Sequence, residues 1–469
     1  MKRKSLTVLT VLLALALNSL AQTASYPYIP NNRWGVVEGV WFPDLTCELG
    51  VGWERLIFNW AQHQPEGPQD WFTLNVDDAW LKAANACNRE VVALLKHTPA
   101  WATDGIPAAG LPRGLDLPID HPDNLWANFV RRAADYYASR GVRHFIIWNE
   151  PDIQAGVYGY EFEGQLEDYY QLLKVAYLAA KQGNPQAVIH LAGTTYWHDV
   201  NEGRQPYFER LMDRIVADPE ARANDFYFDV MSLHIYFRSQ TIYDLVKKVR
   251  QMLNARGMAH KAIWINETNA APTDDPDWPV IRPQFPLNLR QQAAFLVQAA
   301  ALGLAAGAER MAVYKLYDQS LPEGGESFGL LNPASAERRP AFYAWQMVTR
   351  TFSDVRVARL AQTERLDVVR LGHADGRQSL VMWARTDQPV QVRLSAAPAK
   401  IHMLDMLGQV QVMIASDGTH SLNIPPALCP PTPDGCFIGG EPLIVMLSGP
   451  LPRLEAVSDG RAQTFNFAD

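Results

Sequence analysis

The sequence predicts a mixed α/β protein, an eight-stranded (β/α)8 barrel followed by a small all-β sandwich. Two patterns carry this expectation. To about Arg350, short apolar runs alternate with helix-like stretches, the rhythm of a parallel sheet covered by helices. From about Thr351 the rhythm changes to short alternating runs with turn residues between them and no amphipathic helix, which reads as antiparallel sheet. A chain of 469 residues with 48% hydrophobic and 20% charged residues has ample material for a core, and its length suits one large domain plus a small one.

The first element is an address. Lys2, Arg3 and Lys4 precede an apolar run from Leu6 to Leu17, and Ser19-Leu20-Ala21 offers small residues for cleavage, the pattern of a secretory signal peptide over 1–21. That run falls short of the ~20 apolar residues of a membrane span. The expected location is therefore secreted or periplasmic, with no stable membrane insertion.

Barrel strands are expected at Gly35 to Val40, Glu54 to Phe58, Val91 to Leu95, His144 to Trp148, Val188 to Ala192, Val230 to His234, Ala262 to Ile265 and Met311 to Leu316. Eight βα units suit a closed barrel better than an open sheet, and they place the barrel domain at 22–350. Helices are expected over Asn124 to Ser139 and Leu166 to Gln182 from their apolar spacing. A third, Leu289 to Ala306, is apolar all round and reads as a packed barrel helix.

The sandwich is expected at 351–452, with strands at Leu366 to Leu371, Ser379 to Ala384, Val390 to Leu394, Lys400 to Leu404 and Leu443 to Leu447, and a loose tail over 453–469. Export makes disulfides permissible. Cys429 and Cys436 bracket the turn-forming PPTPDG and are the expected pair, while Cys47 and Cys87 are open between a bond and two buried thiols. No C-x-x-C spacing exists, the first strand has no H-x-H, and no metal or cofactor is expected.

A net charge of -8 argues against a nucleic-acid partner, which needs clustered Lys and Arg, and makes a neutral ligand the default. In a barrel of this kind, residues just after each strand converge on one cleft. Those positions hold Arg55, Asn59 and Trp60 on the second strand, His97 after the third and Asn149 with Glu150 after the fourth. His234 and Tyr236 end the sixth, Glu267 ends the seventh, and Tyr314, Lys315 and Tyr317 line the eighth. Two carboxylates flanking one bond are the minimal equipment for glycoside hydrolysis. An arginine keeps one of them ionised, and aromatic faces such as Trp60, Trp101, Trp148 and Trp264 offer stacking surfaces to a sugar ring, although the last two sit within strands where a core role is equally compatible.

From roughly Trp34 to Arg350 the ordered motifs resemble clan A of the retaining glycoside hydrolases. Arg55, Trp60, Pro65, Gly67 and Trp71 reproduce a second-strand pattern of that clan, and LLKHTPAWA resembles its third strand. Asn149-Glu150-Pro151 matches the acid/base strand, LHIY the sixth strand and INET the nucleophile strand, while FGLLN followed by Arg339-Pro340-Ala341 resembles the approach to the last helix. The barrel with an appended β-domain looks most like glycoside hydrolase family 39 and its uncharacterised relatives.

The resemblance implies a retaining double displacement on a carbohydrate, with Glu150 as general acid/base and Glu267 as nucleophile. It also implies that Asn149 binds the 2-hydroxyl, that Arg55 and Tyr236 support Glu267, and that His97 and His234 line the sugar subsite. Two departures bear on the substrate: MAVYKLYD lacks the tryptophan the clan often places on its eighth strand, so Tyr314 or Tyr317 takes over the stacking, and Thr268-Asn269 follows the nucleophile. The alternatives are a catalytically silent carbohydrate-binding barrel and a metal-dependent hydrolase on the same barrel, which needs histidine spacing that this chain does not have.

Overall fold

The computed structural model describes residues 32–467 apart from 154–160, 282, 284, 430–435, 450, 459–460 and 466. The expected signal peptide lies outside the described residues. Eight parallel strands close into a barrel in sequence order: β1 (Trp34–Val37), β2 (Trp53–Asn59), β3 (Glu90–Lys96), β4 (His144–Ile147), β5 (Val188–His190), β6 (Val230–Tyr236), β7 (Ala262–Asn269) and β8 (Arg310–Val313). β8 pairs back onto β1, with Trp34 opposite Met311 and Val36 opposite Val313, so no edge is left open.

The barrel interior is a packed core. Val37, Trp53, Val92, Leu94, Ile146, Val230, Trp264 and Ala312 fill it, and the Trp53 and Trp264 rings lie 5.1 Å apart. Gly35 leaves room for this filling, since a Cβ there would come within 2.3 Å of the Trp53 ring. Trp264 is thus a core residue. The outer wall is built by helices such as Leu125–Ala138, Leu166–Gly183 and Leu289–Ala306. The last, apolar all round, is buried on nearly every face, because the barrel lies on one side and the C-terminal sheets on the other. Among the described residues no helix is long and apolar enough to cross a membrane.

Ten antiparallel strands follow: β9 (Val355–Gln362), β10 (Leu366–His373), β11 (Gln378–Ala384), β12 (Val390–Ser395), β13 (Lys400–Leu404), β14 (Val410–Ile414), β15 (His420–Ile424), β16 (Leu443–Leu447), β17 (Arg453–Ser458) and β18 (Arg461–Phe465). They form one six-stranded and one four-stranded sheet. A separate core including Leu366, Val368, Leu380, Met382, Val392, Leu394, Leu422, Ile424 and Leu454 lies among them, so the strands are more than decoration on the barrel.

The region expected as a loose tail is ordered sheet: β17 pairs antiparallel with β12 and β18 with β17. Leu454, Ala456 and Phe465 enter the sandwich core, and that burial holds the chain end in place. Gln298 on the barrel helix donates to the Gly440 carbonyl, and Arg33 reaches the Val355 carbonyl, each at 2.9 Å, fixing the sandwich to the barrel.

Both cysteine pairs are bonded. Cys47–Cys87, with Cα atoms 5.7 Å apart, ties the helix after β1 to the one before β3. Cys429–Cys436 closes a seven-residue separation in the sandwich.

Candidate active site

Arg55 from within β2 and residues at or just past the C-terminal ends of β4, β6 and β7 form one acid–base cluster. Arg55, the third residue of β2, is buried, and its neighbour Glu54 is taken by Arg89, so its guanidinium must find a partner within the barrel. It forms an ion pair with Glu267 Oε1, and the two side chains are only 4% and 7% exposed. Tyr236, the last residue of β6, donates its hydroxyl proton to Glu267 Oε2. Burial pushes the Glu267 carboxyl up, but Arg55, His234 and Tyr236 outweigh it and hold the group below the ordinary carboxylate range.

His234 stands between the two acids. Its Nδ1 lies 2.6 Å from Glu150 Oε1 and 3.4 Å from Glu267 Oε2. Burial disfavours an imidazolium, yet the two carboxylates overcome it and raise the histidine's proton affinity. Gly193, just past β5, permits this placement, because a Cβ there would meet the His234 ring at 2.1 Å. Glu150, His234 and Glu267 each place a ligand atom within 4.8 Å of the others. A divalent cation could use such donors elsewhere, but here a guanidinium already occupies Glu267 and the histidine is drawn toward its charged form. The set fits two carboxylates in different environments better than a cation cage.

Glu150 is aimed by an unusual backbone. Trp148 and Glu150 have φ of 69° and 38°, the left-handed region that non-glycine residues rarely adopt. Neighbouring strands compensate: Trp148 N–H bonds the Leu95 carbonyl at 3.0 Å, and Glu150 N–H bonds the Gly193 carbonyl at 3.1 Å. Trp148 is fully buried with its indole N–H on the Glu161 carbonyl at 2.7 Å, so it belongs to the core. Asn149 sits half-buried between these residues.

The other expected residues divide. Tyr314 joins the cluster: its ring lies 6.1 Å from that of Tyr236, and burial, then the Glu267 charge, pushes its phenol up. His97 is half-buried with Nδ1 unpartnered, and burial, then Lys96, lowers it to about 4, which keeps it neutral. Lys315 pairs with Glu38, the residue just after β1. Tyr317 is a structural tie, its hydroxyl donated to the Pro333 carbonyl at 2.9 Å and its ring 5.2 Å from Phe42. Trp101 is half-buried, with its indole N–H on the Gln64 carbonyl at 2.6 Å.

Trp60 is the clearest correction. It has no exposed surface, stacks 5.1 Å from Phe129 beside Trp126, and spends its indole N–H on Gln64. Two residues of the helix Leu125–Ala138 cover the face that the sequence assigned to a sugar.

Four residues hold the site's surroundings in ways that the sequence does not assign. Asn269 donates to the Tyr314 and Phe328 carbonyls at 2.6 and 2.7 Å, joining the end of β7 to the segment after β8. Asp152 accepts both the N–H and the hydroxyl of Thr195, at 2.8 and 2.7 Å, clamping the segment after Glu150 to the one after β5. Arg339 and Asp275 form a buried ion pair at 2.7 Å that anchors the entry to the last barrel helix. Asn269 and Arg339 stand in the sequence motifs, which do not say what they hold.

Three known structures place this architecture. A family 39 glycoside hydrolase from Bacteroides cellulosilyticus WH2 superposes with a TM-score of 0.67 at 16% identity, over 90% of this chain and 82% of its own. The fold is shared with solved glycoside hydrolases of families 39 and 30. A family 39 β-xylosidase from Caulobacter crescentus follows with a TM-score of 0.58 at 15% identity, covering 92% of this chain and 98% of its own. A family 30 endoxylanase from Clostridium papyrosolvens C71 matches with a TM-score of 0.57 at 12% identity, over 91% and 98%. No protein-family model matches the chain, and no curated protein does.

Proposed function

We propose that this protein is an exported retaining glycoside hydrolase, with Glu267 as nucleophile and Glu150 as acid/base. The observation that carries the reading is the pair of carboxylates at the ends of β4 and β7, with an oxygen of each within 4.8 Å of the other. A pair about 5–5.5 Å apart suits direct attack on the anomeric carbon, whereas inversion needs about 6.5–9.5 Å to admit a water.

The unequal surroundings assign the roles. Glu267, held ionised by Arg55 and Tyr236, is equipped to attack. Among the described residues Glu150 pairs with His234, which can pass it a proton or hold its charge. In the first step Glu267 attacks the anomeric carbon while Glu150 protonates the departing oxygen. In the second Glu150 takes a proton from water, which displaces Glu267. Asn149, Tyr314 and His97 line the sugar side of this pair. The two disulfides agree with an oxidising destination.

Neighbours described as a β-xylosidase and an endoxylanase set the first panel: aryl β-xylosides, aryl β-glucosides and xylan. The anomeric form of the first product, followed by proton NMR on whichever probe is cleaved, should match that of the substrate, and Glu267→Gln should abolish turnover. An inverted first product, or full activity in Glu267→Gln, overturns the proposal. A mature N-terminus just after Ala21 in the exported protein supports the address, and an intact leader removes it.

A further inference from the structure

The chain turns sharply as it leaves β6. Tyr236, which donates to Glu267, is the last residue of that strand, and Phe237 follows it with φ of 62°, in the left-handed region that a bulky residue rarely adopts. A residue held there is strained and stays only where its surroundings over-determine it. The barrel supplies part of that restraint. The Phe237 N–H bonds the Asn269 carbonyl at 3.0 Å, and its ring lies 5.8 Å from Phe328, which in turn lies 5.3 Å from Tyr236.

The sandwich domain supplies another part. In the segment before β16, Phe437 is buried and accepts the Ser239 N–H on its carbonyl at 3.2 Å. The Arg238 guanidinium stands 4.2 Å above its ring. That ring also packs 5.2 Å from Phe285, whose own ring lies 4.8 Å from Phe237. The segment that carries Phe437 is itself fixed. Gln298 of the barrel helix Leu289–Ala306 accepts the Gly439 N–H at 3.0 Å and donates to the Gly440 carbonyl at 2.9 Å, and the Gly440 N–H bonds the Ala384 carbonyl of β11 at 2.8 Å. Gly439 permits the close approach, since a Cβ there would meet the Trp383 ring at 2.2 Å. A line of rings thus runs from the sandwich to the nucleophile's hydrogen-bond donor, through Phe437, Phe285, Phe237, Phe328 and Tyr236.

We propose that Phe437 is a positioning residue for the reaction: through Phe285 and Phe237 it sets the place of the Tyr236 hydroxyl on Glu267. The appended β-domain then belongs to the catalytic apparatus and is more than a passenger on the barrel. The inference rests on the hydrolase reading and adds to it a contribution from outside the barrel.

Wild-type protein, Phe437→Ala, Phe285→Ala and Leu422→Ala are compared on whichever of 4-nitrophenyl β-xyloside and β-glucoside the wild type cleaves. Leu422 lies in the separate sandwich core, so its truncation lowers stability without opening the line of rings. Glu267 faces Arg55 from β2, His234 and Tyr236 from β6, Glu150 after β4 and Tyr314 after β8. With Tyr236 displaced, Glu267 keeps Arg55 and His234 but loses one group that favours its charged form. The acid limb of kcat/KM should therefore rise by about one pH unit in Phe437→Ala, a tenfold shift in protonation and the size of one hydrogen bond. The loss should fall on kcat, with KM little changed.

Phe285→Ala breaks the same line at a half-buried position and should move the limb the same way, so it carries the test where Phe437→Ala does not fold. Leu422→Ala should melt earlier with its limb in place. A limb unmoved in the ring variants, or moved equally in Leu422→Ala, overturns the positioning role and leaves the hydrolase standing. Failure of the wild type to cleave any probe of the panel overturns both.

Discussion

Replacing Arg55 with methionine is expected to damage stability and chemistry together. Arg55 and Glu267 are 4% and 7% exposed, so the pair belongs with buried ion pairs, where removal of one partner costs about 3–5 kcal/mol, and not with surface pairs worth about 0–1 kcal/mol. With its guanidinium gone, Glu267 keeps His234 and Tyr236, and burial pushes its carboxyl upward with less opposition. The sign follows from linkage. A carboxyl depressed in the fold adds stability above its unfolded pKa and loses it as pH falls through the folded value, so weakening the depression removes stability mainly at neutral and alkaline pH.

Because the nucleophile must be ionised, the acid limb of kcat/KM should move to higher pH. Denaturant unfolding at pH 5 and pH 8, together with a rate profile on an aryl glycoside, reads both effects. Adding Glu267→Gln to Arg55→Met should restore part of the lost stability, because no buried charge is then left alone. A loss below about 1 kcal/mol, with the acid limb in place, would refute the assignment of Arg55 as the ionising partner.

Two further outcomes follow from the same packing. Trp60→Ala should lower stability by about 3–5 kcal/mol, the cost of emptying a large aromatic site, and leave KM of the folded protein unchanged; a raised KM at unaltered stability would return Trp60 to the sugar site. Asp152 is raised by burial to about 6 from its ordinary 3.8, so the native state binds the extra proton between those values and stability falls as pH rises through them by about 3 kcal/mol. Asp152→Asn should remove that slope, and unfolding free energies at pH 3.5, 5 and 7 should show the gap to wild type change by about this amount; a constant gap would contradict the titration.

The barrel was legible because strands buried on both faces leave plain apolar runs, such as Phe145, Ile146 and Ile147 in β4. Strand ends were less clear. β7 continues past Ile265 through Asn266, Glu267, Thr268 and Asn269, polar residues that read as loop although all four are buried, Glu267 paired with Arg55, Asn269 tied to the segment after β8 and Thr268 donating to the Ile235 carbonyl of β6. β14 was missed because Val410, Val412 and Ile414 stand exposed on the outermost strand, and β17 and β18 because their few core residues alternate with polar ones.

In the site, the two glutamates with Arg55, His234 and Tyr236 could be chosen from their places on or just after strand-like runs. Burial could not. Nothing local in the sequence says that Trp126 and Phe129 cover Trp60, or that Pro333 takes the Tyr317 hydroxyl. Asp152 escaped notice for the opposite reason, since an acid beside a known motif looks like a solvated loop residue until Thr195 is seen to hold it.

The central claim is that Glu267 attacks the sugar. Incubation with an activated 2-deoxy-2-fluoro glycoside of the accepted sugar, followed by digestion and mass spectrometry, tests it most directly. The account predicts a single glycosyl adduct on Glu267, absent from Glu267→Gln. An adduct on another residue would contradict it, as would turnover of the reagent with inversion and no adduct.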